Sequence, residues 1–115
     1  MLSTHLTREA ERSLWLHRAV AGRLVADPDR VLGLAAQNLQ KLERVHPSGM
    51  SAAWLAQWRI VLAGGADAVL DVLASRSQLA VELRQNSPFA GVIPEDERMA
   101  VHHAFREHWR REHAA

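Results

Sequence analysis

Leu83-Arg84-Gln85-Asn86-Ser87-Pro88-Phe89-Ala90-Gly91-Val92 is the stretch of this 115-residue chain where helical periodicity gives way to an aromatic-bearing turn. Pro88 pushes Ser87 out of the α region, and Gly91 permits a backbone conformation that other residues resist. The chain therefore turns sharply between two helices. Phe89, one of only two phenylalanines, stands at the apex among small residues. It is either a plug pinned beneath the next helix or a side chain offered to a partner.

Upstream of the turn, Ser75-Arg76-Ser77-Gln78 reads as a capping box that starts a helix from Arg76 to about Gln85, with Leu79, Ala80 and Leu83 inward. Downstream, Pro94 followed by Glu95, Asp96 and Glu97 starts a last helix that reaches about His113, with Val101, Phe105 and Trp109 as its seam. Further back, Gly64-Gly65 separates a short helix, Ala66 to Ala74, from one capped by Ser51 that ends near Ala63. That third helix carries Trp54, Leu55, Trp58, Val61 and Leu62 on one face. Asp27 and Pro28 cap and begin a second helix that ends near Val45, with Val31, Leu32, Ala35, Leu39 and Leu42 inward.

The first helix runs from the Thr7 cap to about Ala26, with Leu6, Ala10, Leu14, His17, Ala21, Leu24 and Val25 as its core stripe. His17, amid that stripe, reads as a buried neutral histidine bonded to a neighbouring helix. Trp15 lies with Ala19 and Gly22 on nearly the opposite face, which makes it a second packing surface or a docking site. No segment alternates with the period of a half-buried strand. The expectation is a single all-α domain over residues 1–115, an orthogonal bundle of about six helices. Its core includes Leu14, Leu39, Trp54, Trp58, Leu73, Leu83, Phe105 and Trp109.

Composition narrows the function. Apolar content of 48% with 23% charged residues is that of an ordinary globular protein. A formal charge of +1, from 14 basic and 13 acidic residues, lends nucleic-acid binding no support. The absence of cysteine excludes disulfides and zinc–thiolate sites. Met1 to Arg12 holds no apolar run of signal length, and no run approaches the roughly 18 apolar residues of a membrane span, so a cytoplasmic protein without a membrane partner is expected.

Catalytic, metal and cofactor chemistry find no constellation. Of the seven histidines, only His103 with Glu107 and His108 with Glu112 share a helix face with a carboxylate four residues on, and neither fits a zinc-binding motif. Ser87 sits in no Gly-x-Ser-x-Gly elbow, and Gly64-Gly65 is a doublet without the lysine of a phosphate loop. The helix after that doublet lacks basic or amide residues to read a base edge. What stands out instead is the turn, where Arg84, Asn86, Ser87 and Phe89 combine a forked cation, an amide, a hydroxyl and an aromatic. With Trp15 they are the candidate partner-binding residues.

Arg12-Ser13-Leu14-x-Leu16-His17-Arg18, Asp27-Pro28 to Asn38-Leu39, Trp54 to Trp58, the stretch Leu83 to Val92 and Glu97-Arg98 together resemble a bacterial helical domain of type II antitoxin-like proteins. That domain occurs alone or behind helix-turn-helix, excisionase-like modules. The resemblance spans nearly the whole chain, and its specificity is concentrated in Ser87 to Gly91. It implies a non-enzymatic interaction protein that neutralises a cognate toxin, and it leaves homo-oligomerisation open. The alternatives are a DNA-binding autorepressor using the arginines of the last helix, and a small-ligand or metal sensor.

Overall fold

The computed structural model describes residues 5–114. Residues 1–4 and 115, the ends of the expected domain and the start of the Met1 to Arg12 stretch, lie outside the described residues. Six helices follow in order: α1 (Arg8–Ala26), α2 (Pro28–Val45), α3 (Gly49–Ala63), α4 (Gly65–Ala74), α5 (Gln78–Gln85) and α6 (Glu95–Glu112). There is no strand among the described residues, so the fold is an all-α bundle. None of these helices is long and apolar enough to cross a membrane.

Local chemistry sets most boundaries. The Thr7 hydroxyl accepts from the Ala10 N–H, and the Asp27 carboxylate accepts from the Arg30 N–H, so both expected caps form. Two starts differ from expectation. Helix α3 begins two residues before Ser51, at Gly49 with φ +85°, and its Ser48 cap makes no side-chain bond. Helix α5 is capped by Ser77, which accepts from the Ala80 N–H, while Ser75 stays extended and Gln78 bonds Glu82 instead of closing a box. Both serines fit the cap rule, and the tertiary use of the Ser75 carbonyl described below selects the later one.

The core lies where α1 meets α4 and α2, and where α3 closes over α2, α4 and α5. Leu24, Val31, Leu39, Leu55, Trp58, Val69, Leu73 and Leu83 form it, joined by Phe89, Val92 and Ile93 from the turn. Trp54 packs half-buried at its edge. On α1 the buried stripe is Leu14, His17, Val20 and Leu24, and Val25, expected inward, is 68% exposed. On α5 the buried face is Ala80, Val81, Leu83 and Arg84, so Leu79 points outward.

Helix α6 has a different seat. It approaches no helix except α1. There Phe105 is buried, with Trp15 edge-to-face at 5.5 Å and the Arg8 guanidinium 5.7 Å from its ring centre. Trp109 lies half-buried beside Phe105 and stacks on His113. The expected Phe105–Trp109 seam therefore forms a satellite aromatic cluster between α1 and α6, apart from the main core.

Candidate binding cleft

The turn is held from several sides. At the end of α5 the Asn86 N–H donates to the Leu83 carbonyl, and the Trp58 indole N–H donates to the same carbonyl at 2.7 Å. A helix-terminal acceptor buried in the core thus receives a second donor from α3. The Ser87 hydroxyl oxygen accepts from the Phe89 N–H at 3.2 Å, and the Val92 N–H donates to the Phe89 carbonyl. Asn38 of α2 donates through Nδ2 to the carbonyls of Pro88 (2.9 Å) and Ala90 (2.8 Å), clasping the apex from the other side. Gly91 takes φ +83°, the left-handed region expected of it.

Phe89 is the plug. It is 5% exposed, edge-to-face with Trp58 at 5.3 Å and with the His17 ring at 6.4 Å. Arg84, expected at the rim, is 3% exposed, and its Nη1 donates to the carbonyls of Val72 (2.8 Å) and Ser75 (2.6 Å). Its guanidinium thereby caps the carboxyl end of α4. For Phe89 the plug is the alternative observed, whereas Arg84 is corrected from a rim residue to a buried one, because the buried face of α5 is rotated toward it. Asn86 is half-buried and donates back to the Glu82 carbonyl, beside a small hollow of about 170 Å³ lined by Leu42, His46 and Leu55. Trp15 lies on the α6 side of α1, so its second-packing-surface reading is the observed one.

The structure adds a contact that spacing could not reveal, between His17 and Ser87, 70 residues apart. The His17 Nδ1 lies 2.7 Å from the Ser13 carbonyl, which can only accept, so the proton is on Nδ1. Nε2 therefore presents a lone pair and accepts from the Ser87 hydroxyl at 2.8 Å. Burial pushes the imidazole down to about 4, against the backbone bond to Ser13 and with the positive charge of Arg84 adding to the drop. The pair has the separation of a nucleophile and its base. A base that holds its proton so weakly is poorly matched to neutral pH, and its orienting partner is a backbone carbonyl. The contact works as a latch between α1 and the turn.

Around this latch opens a cavity of about 590 Å³ bounded by α1, the end of α5, the turn and the start of α6. Leu16, Val20, Phe89 and Ile93 give it apolar walls, and Arg12, Arg84, Arg98 and His102 bring positive or donor groups. Arg98 is neutralised by a two-pronged pair with Glu95, and Arg12 by Glu9. Arg84 has no ion pair among the described residues, and Glu11, the acid felt most by it, is engaged by Arg76. Of the five candidate residues, Arg84, Ser87 and Phe89 meet at this cavity, and Trp15 and Asn86 do not. Sequence reasoning missed Asn38 and His102. Asn38 carried a signal, an amide on a helix flank, but not one that points to its target.

No group of three or more potential metal-binding side chains forms among the described residues. Comparison with known protein families, with curated proteins and with solved structures gives no match.

Proposed function

We propose that this chain is a non-enzymatic interaction module of the cytoplasm that neutralises a protein partner as the antitoxin of a toxin–antitoxin pair. The mouth of the α1–turn–α6 cleft is its contact surface. The observation that carries this reading is the cost invested in the turn: a plug, an asparagine clasp and a histidine latch fix a loop whose exposed tip, Ala90-Gly91, opens onto the cavity of about 590 Å³. Rigidity at a surface tip reduces the ordering cost of binding. The other exposed apolar side chains, Val25, Val45, Met50, Ile60, Leu79 and Met99, are spread over five helices and leave no single helix face uncovered. The resemblance of Ser87 to Gly91 to the antitoxin-like domain supplies the class of partner.

The test is capture of the partner from the native host with the tagged chain, followed by cross-link mapping and rim variants. Ala90→Glu and Gln85→Glu alter only exposed positions, and each is expected to weaken capture about tenfold with an unchanged melting temperature. Undiminished capture in both, with loss in Met50→Asp, would move the interface to the α2–α3 corner. Salt-sensitive retention of DNA in place of a protein would favour the autorepressor instead.

A further inference from the structure

Three buried side-chain nitrogens among the described residues have no hydrogen-bond partner: Arg84 Nε, Arg84 Nη2 and His102 Nδ1. Both residues line the same cavity. Buried polar atoms without partners are rare in folded proteins, and finding three of them on two residues of one cavity lining calls for a partner. All three are donors. Those of Arg84 are donors by chemistry. His102 Nε2 lies 3.2 Å from Arg98 Nη1, which can only donate, so Nε2 holds the lone pair and the ring proton is on Nδ1.

The two free atoms of Arg84 are also a matched pair. Nε and Nη2 form the side-on edge of a guanidinium, the fork whose parallel N–H bonds fit the two oxygens of a carboxylate. The remaining nitrogen, Nη1, is the one already used on Val72 and Ser75. Arg98 is paired with Glu95, and Arg12 with a Glu9 that Arg8 also approaches, whereas Arg84 is the lining arginine with no ion pair among the described residues. Leu16, Val20, Phe89 and Ile93 give the cavity an apolar wall beside the polar Glu9, Ser13, His17, Gln85 and Ser87, and its volume is that of a small-molecule site.

We propose that this cavity binds a small organic monocarboxylate with an apolar body, its carboxylate held by Arg84 Nε and Nη2 and its body against Leu16, Val20, Phe89 and Ile93. The Nδ1–H of His102 supplies a further donor to a carboxylate or hydroxyl oxygen. The free nitrogens have almost no accessible surface, so the ligand reaches them as lining side chains move aside, and its charge-assisted bonds form where water does not compete. This site is independent of the partner reading above, and it is tested without the partner.

The experiment titrates the isolated full chain with phenylacetate and hexanoate, with phenylacetamide and hexanamide as uncharged controls and inorganic phosphate as an ion control. The reporters are calorimetry and the ¹⁵N resonance of Arg84 Nε. The acids are expected to bind at least about tenfold more tightly than their amides and to shift the Arg84 Nε signal. Leu16→Trp, which fills the cavity, is expected to abolish binding while the helical spectrum persists. Arg84→Lys keeps the charge without the fork, and a loss of about tenfold or more is expected there. Because the Arg84 resonance is read in the unaltered chain, an unfolded variant does not leave the question open. Equal affinity for acid and amide, phosphate binding as tight as phenylacetate, or no binding of either acid at millimolar concentration overturns the proposal, the last meaning that water fills the cavity.

Discussion

Protonation of His17 offers a direct measure of how tightly the turn is latched to α1. In the folded chain the imidazole titrates at about 4, against 6.5 for a solvated histidine. Between those values the unfolded chain takes up a proton that the folded chain refuses, so stability is complete above pH 6.5 and falls as the pH drops toward 4. At about 1.4 kcal/mol for each pH unit, the full gap corresponds to about 3 kcal/mol, of which roughly 2 kcal/mol is expressed by pH 4.5. The assay is urea unfolding of the parent and of His17→Gln at pH 7 and at pH 4.5. Glutamine retains polar atoms without a proton to gain. The parent is expected to lose about 2 kcal/mol more than the variant over that interval. His102, lowered by burial and by the charges of Arg12 and Arg98, contributes loss of the same sign in both proteins and cancels in the difference. Equal pH dependence in parent and variant would mean that His17 is solvated, and the latch would be refuted.

The other expectations concern the same corner. Phe89→Ala removes a buried ring that touches Trp58, and a destabilisation of about 3–5 kcal/mol is expected in urea unfolding. Trp58→Phe removes one of the two donors to the Leu83 carbonyl and leaves the Asn86 N–H, with a loss of about 0.5–1.5 kcal/mol beyond the change in packing expected in urea unfolding. Asn38→Leu deletes both clasp bonds and is expected to cost about 1–3 kcal/mol, with amide shift changes centred on Pro88 to Gly91. Gly33→Ala meets open space on α2 and should raise stability by about 0.5–1 kcal/mol, seen as a higher melting temperature.

Much of the fold was legible because it is written locally. Thr7, Asp27 and Pro28 specify their helix boundaries through side chains a few residues from the atoms they satisfy, and the six-helix order follows from such signals. The third-helix start slipped because Gly49 and Ser48 compete with Ser51, and the fifth because Ser75 and Ser77 are equivalent until Arg84 claims the carbonyl of one. The site was less legible. Arginine near a helix end usually lies outside, yet Arg84 stands four residues after buried Ala80 and next to buried Leu83, a pattern that does place it on the inner face. His17 was readable as a buried neutral histidine, but its partner Ser87 lies 70 residues away, beyond any periodicity. Asn38 and His102 matter through which backbone or side chain they face, and only the tertiary arrangement decides that.

The one-sided seat of α6 makes it a separable cooperative unit. Because it leans on α1 alone, its amides can exchange with solvent deuterium through an opening that leaves α1 to α5 folded, at a free energy below that of global unfolding. Arg98 and His102 ride on this helix, so the opening dismantles one wall of the cleft. Whatever fills the cleft then protects α6 by RT ln(1 + [L]/Kd). Occupancy of the cleft is thereby written into the exchange rates of α6, and a deuterium time course on that helix reads it.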